Sequence, residues 1–128
     1  MQGQVVHFEV PFDDGDRARS FYREAFGWGI NEMSEMDYTL VSTGPTSDQG
    51  MPSEPGFING GMFDRASASA NGPVVTIVVE SIDETLKKIA ELGGSTVDEQ
   101  TAVGDMGFAA YFKDTEGNLM GLWENAPG

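Results

Sequence analysis

The chain has 128 residues and no cysteine, with 39% hydrophobic and 22% charged residues. That describes one soluble globular domain able to bury a sizeable core, and it excludes a disulfide framework and thiolate chemistry. Its 21 acidic residues against 7 basic ones give a formal net charge of -14, a surface that repels phosphate backbones and anionic lipid, so no nucleic-acid and no membrane partner is expected. No apolar run approaches bilayer-spanning length, and Met1-Gln2-Gly3-Gln4 lacks the basic and apolar regions of a signal peptide, so a cytoplasmic protein is expected.

Val5 to Pro11 reads as the opening strand, with Val6, Phe8 and Val10 on one face and Val5, His7 and Glu9 on the other. Pro11 is expected to end it. Asp13-Asp14-Gly15-Asp16 supplies N-cap oxygens for a helix to about Phe26, where Gly27 is a natural terminator. Ala18, Phe21, Tyr22, Ala25 and Phe26 fall at helical spacing and predict its buried stripe, with Arg17, Arg19 and Arg23 off it. Strands are expected at Gly29 to Met33 and Asp37 to Ser42, then a breaker-rich, mobile surface loop from Thr43 to Pro55, and a glycine-weakened strand over Phe57 to Phe63. Ala66 to Pro73 is a linker of small residues.

The pattern then restarts. Val74 to Glu80 is a β-branched strand, Ser81 with Glu84 forms a capping box, and Leu86, Ile89 and Ala90 stripe a second helix that Gly93-Gly94 stops. Strands follow at about Ser95 to Val97, Gly107 to Lys113 and Asn118 to Glu124, with 98–106 a polar loop. The repeat predicts an α+β fold of two βαβββ modules, about 4–65 and 73–126 of a single domain over 1–128. They form one curved mixed sheet around a cavity, helices outside. His7, Glu9, Thr76, Val78 and Glu80 are expected to face the cavity.

Taken together, His7-Phe8-Glu9-Val10-Pro11, the Phe21-Tyr22…Phe26-Gly27-Trp28 helix ending, Glu91-Leu92-Gly93-Gly94 and the Gly117-Asn118 turn into the last strand resemble the vicinal-oxygen-chelate superfamily over essentially the whole chain. That superfamily holds glyoxalases, bleomycin-resistance proteins and extradiol dioxygenases. The resemblance implies a metal ligand from each opening and each closing strand. His7 fits the first position, Thr76 stands at the second opening position, Gly121 at the second closing position, and Asn59 to Met62 offer no carboxylate. No cofactor is therefore expected; a divalent metal stays open as an alternative, with an incomplete ligand set. Glu124, three residues past Gly121, should point to the opposite face.

Three readings follow. The first is a binding protein for a small organic molecule, of the bleomycin-resistance kind, using His7, Glu9, Tyr38, Thr76, Tyr111, Gly121 and Trp123, with Phe108 a further candidate for an aromatic wall. The second is a glyoxalase-related lyase, isomerase or dioxygenase acting on a small carbonyl or oxygenated substrate, either with a weak metal site or with His7 and Glu9 as acid and base. The third is a non-catalytic interaction or regulatory module. The resemblance also implies a homodimer, and the 43–55 loop is a candidate lid.

Overall fold

A computed structural model of the chain describes residues 2–67 and 70–127. The elements run β1 (Val5–Phe12), α1 (Gly15–Phe26), β2 (Gly29–Met33), β3 (Tyr38–Ser42) and β4 (Asn59–Asp64), then β5 (Val74–Val78), α2 (Ile82–Glu91), β6 (Ser95–Val103), β7 (Gly107–Lys113) and β8 (Leu119–Asn125). The βαβββ order thus occurs twice, and the fold is α+β. Two compact units divide the chain: His7–Pro73, and the N-terminal segment through Val6 with Val74 onward. The expected linker residues Ala68 and Ser69 lie outside the described residues.

In the His7–Pro73 unit the strand order is β2-β3-β4-β1. β3 is antiparallel to β2 and β4, while β4 runs parallel to β1 with His7 opposite Asn59 and Glu9 opposite Gly61. Contrary to the expectation, Pro11 does not end β1: Pro11 and Phe12 continue the pairing opposite Phe63 and Asp64. Asp14 caps α1 by accepting from the Arg17 N–H at 3.1 Å, and Gly27 closes it in the left-handed region at φ 71°.

The apolar stripe of α1 is not buried. No described residue of the helix is fully buried, and Phe21 and Phe26 are 58% and 64% exposed. The residue that ties α1 to its sheet is Arg19, which the helical spacing placed off the stripe. Its guanidinium donates to Thr39 Oγ1 at 3.2 Å, pairs with Asp16 at 2.9 Å and Glu32 at 3.1 Å, and lies 5.5 Å from the Phe12 ring centroid. A planar cation with five donors can serve all these partners at once. The aromatic rings stack along the surface instead. Tyr22 lies on Trp28 with centroids 4.7 Å apart, and Trp28 meets Phe8 at 5.6 Å.

In the other unit the order is β5-β8-β7-β6, with β5 parallel to β8 and the remaining pairs antiparallel. Gly3 and Gln4 bond to both backbone groups of Val78, at 2.7 and 2.9 Å. Here the helix does supply the core: Ile82 and Leu86 of α2 pack with Val79, Ala110, Phe112 and Leu122. Ser81 caps α2 by accepting from the Glu84 N–H at 3.2 Å. Glu80, expected in a cavity, is exposed, and its N–H is held by the Gln2 side chain at 2.7 Å.

The segment 98–103, expected as loop, is strand. Thr101, Ala102 and Val103 pair with Ala109, Phe108 and Gly107, after register shifts on either side of Asp98. Backbone pairing to an apolar neighbour outweighs polar composition, and the bulges absorb the extra residues.

Candidate functional site

β1 presents His7 and Glu9 on one face because they are two residues apart on a strand. The two do not meet directly. Tyr38, from β3, places its hydroxyl between them: it donates to Glu9 Oε2 at 2.6 Å and lies 3.0 Å from His7 Nε2. The one phenolic proton goes to the carboxylate, so the imidazole Nε2–H is the donor to the phenol oxygen. Glu9 is 5% exposed, and the short bond fits a charged acceptor. The three predicted residues of this unit are thus one hydrogen-bonded chain.

β4 lies between β3 and β1, so the Tyr38 side chain must cross it. It does so over Gly61, where any Cβ would overlap the phenol ring and hydroxyl. On the opposite face a Cβ at Gly60 would strike the Phe8 carbonyl and ring. The Gly60-Gly61 pair read in the sequence only as weakening a strand. Its function is clearance on both faces, and glycine in a strand interior is the signal for such close approach.

Asn59, opposite His7, is 9% exposed and turned to the preceding loop. Its Oδ1 accepts from the Thr43 N–H at 2.9 Å and its Nδ2 donates to Thr46 Oγ1 at 3.0 Å. The 43–55 loop, expected to be mobile, is closed on itself by Ser47 N–H to Met51 O and Ser53 N–H to Pro45 O, both 2.8 Å.

In the other unit, Thr76 is opposite Gly121 and Gly121 opposite Tyr111, so these three predicted residues are neighbours across β5, β8 and β7. A Cβ on Gly121 would come within 2.7 Å of Thr76 Oγ1, so glycine leaves the threonine hydroxyl its space. Tyr111 lines a depression of about 480 Å³ with Asp98, Gln100, Thr101, Val103 and Ala109. Trp123 donates its indole N–H to Asn125 Oδ1 at 2.9 Å. Phe108 is not part of an aromatic wall: one strand position from Ala109, it points to the helix side and packs against the α2 core. Glu124 also faces that side and accepts from the Ile82 N–H at 2.7 Å, closing the start of α2.

The donors do not fit a divalent metal. His7 and Glu9 are both engaged by Tyr38, Asn59 by the loop, and Thr76 faces a residue with no side chain. No group of three His, Cys, Asp or Glu side chains able to hold a metal ion occurs among the described residues. No described helix is long and apolar enough to cross a membrane.

Burial holds the His7 imidazole below its ordinary value, against a smaller upward pull from the Glu9 carboxylate. The unfolded chain therefore takes up this proton first as pH falls below about 6.5, the free histidine value. In that window the unfolded state binds more protons than the folded one, so stability falls with pH until the lowered folded value is passed. The expected result is a wild-type melting midpoint that drops more between about pH 7.5 and pH 5.5 than that of His7→Asn. Equal drops would show that His7 titrates alike in both states.

Residues 4–44 match the bleomycin resistance protein-like N-terminal family. A glyoxylase-like domain-containing protein of Didymella fabae is 26% identical over 122 residues, covering 92% of this chain and 91% of the relative. Among solved structures, Streptomyces coelicolor methylmalonyl-CoA epimerase in complex with 2-nitronate-propionyl-CoA is similar at TM-score 0.66 and 16% identity, over 99% of this chain and 100% of that one. A hypothetical protein from Bacillus halodurans is similar at TM-score 0.65 and 13% identity, over 100% and 98%. The epimerase from Mycobacterium tuberculosis follows at 0.61 and 18%, over 98% and 89%.

Proposed function

We propose that the chain is a vicinal-oxygen-chelate protein, a reading supported by the match of residues 4–44 and the similar folds, and that it binds a small organic molecule, in the manner of a glyoxalase/bleomycin-resistance protein, without a divalent metal. The observation that carries this reading is the His7–Tyr38–Glu9 chain, in which an imidazole and a buried carboxylate converge on a phenol. With both of its protons committed inward, such a chain meets a ligand hydroxyl as an acceptor, through the phenol or carboxylate oxygens. Tyr111, Trp123 and Thr76 supply aromatic and hydroxyl surface in the second module. The ligand is an oxygen-bearing aromatic or carbonyl compound. It is not a CoA thioester like that of the epimerase complex, because β1, β3 and β4 contain no lysine or arginine to pair with phosphates and the net charge is -14. The working species is a homodimer.

The test is a thermal-shift and calorimetric screen of neutral aromatic and carbonyl compounds against untagged protein, with mass by light scattering on the same sample. A hit should lose roughly tenfold in affinity in Tyr38→Phe, about the worth of one hydrogen bond. Hits that are indifferent to Tyr38→Phe and to Trp123→Ala would sink the assignment of the site.

A second reading is favoured by the same chain: a lyase, isomerase or dioxygenase related to glyoxalase, in which Tyr38 connects His7 and Glu9 for proton transfer. It separates from the first by one result. His7→Ala would abolish turnover of an identified compound instead of weakening its binding alone.

A further inference from the structure

We infer that the Tyr38 hydroxyl takes, within the His7–Pro73 unit, the place a divalent metal would occupy, and that glycine at position 61 is what admits it. His7 Nε2 and Glu9 Oε2 come from one face of β1 and meet at a single atom, 3.0 and 2.6 Å away. An imidazole nitrogen and a carboxylate oxygen converging on one point are two of the donors that zinc and its neighbours accept. Here the point is filled by oxygen from β3, which is two strand spacings, roughly 10 Å, from β1. Only a long side chain laid flat over β4 bridges that distance, and it can lie flat only where β4 has no Cβ.

Position 61 lies opposite Glu9 on the strand between the two, so a side chain there would aim at the same point. Tyrosine at 38 and a ligand at 61 are therefore mutually exclusive occupants. With the phenol present, His7 and Glu9 are both engaged by its hydroxyl. With the phenol removed and a carboxylate placed at 61, the unit presents one imidazole and two carboxylates. This inference concerns the metal position alone and stands apart from whether the protein binds an organic ligand.

The experiment is metal-dependent thermal shift and metal content with zinc, nickel and manganese salts, on untagged protein whose fold is checked by circular dichroism. Wild type and Tyr38→Phe, which keeps the ring in place, should show no shift. Tyr38→Ala/Gly61→Glu should gain a saturable upward shift with stoichiometric metal, lost when His7→Ala is added. Tyr38→Ala alone should gain a weaker shift, also lost with His7→Ala, and it serves if the double variant does not fold. Stoichiometric metal in wild type that depends on His7 would overturn the inference. So would folded Tyr38→Ala variants that take up none.

Discussion

Alanine at position 61 should destabilise the protein by roughly 3–5 kcal/mol, adding overpacking to the loss of a hydrogen bond to a buried carboxylate. The added Cβ falls on the Tyr38 ring and hydroxyl, and backbone on both sides of β4 is fixed by pairing with β1 and β3. Tyr38 must leave, which takes its proton away from Glu9, a residue 5% exposed. For a chain of this size the melting midpoint should fall by roughly 10–18 °C. The mechanism is checked by a cycle: Tyr38→Ala relieves the clash, so Tyr38→Ala/Gly61→Ala should be markedly less destabilised than the sum of its parts. Additive losses in thermal melts would mean that the two side chains do not compete for the same space.

Leu122→Ala should cost about 3–4 kcal/mol, in the upper part of the range for a buried leucine. Leu122 is 2% exposed and sits where β5, β7 and α2 meet, opposite Ile77 and Ala110 and within the cluster of Val79, Ile82, Leu86 and Phe112. β5 and β7 are held by strand pairing and α2 is capped through Ser81 and Glu124, so the void has little freedom to collapse. Val75→Ala, at a position 37% exposed, is the matched control and should cost well under half as much. Denaturant unfolding of the two variants compares them directly. Similar midpoints would mean that Leu122 lies outside the core that sets stability.

The period-two reading of β1 put His7 and Glu9 on one face, and the structure keeps them there, because alternation is a local property of a strand. Their connection through Tyr38 was not legible. It depends on the order β3-β4-β1 and on which β4 residue lies beneath the phenol, and both are set by pairing between strands distant in the chain. The face of Glu124 was legible for the same reason as that of His7. The role of α1 was misread because helical spacing shows which residues share a face, not whether anything covers it. Phe21 and Phe26 share a face that stays exposed, while Arg19 makes the attachment. The polar run 98–103 hid a strand whose partner, β7, is the apolar one.

The stacking of Trp28 on Tyr22 and Phe8, and the separate setting of Trp123, leave one tryptophan in each compact unit. The protein thus carries its own pair of optical reporters. Trp28→Phe leaves emission from the Val74-onward unit alone, and Trp123→Phe leaves emission from the His7–Pro73 unit alone. Coincident fluorescence transitions in the two would describe one cooperative folding unit, and separated transitions two, without any label being introduced.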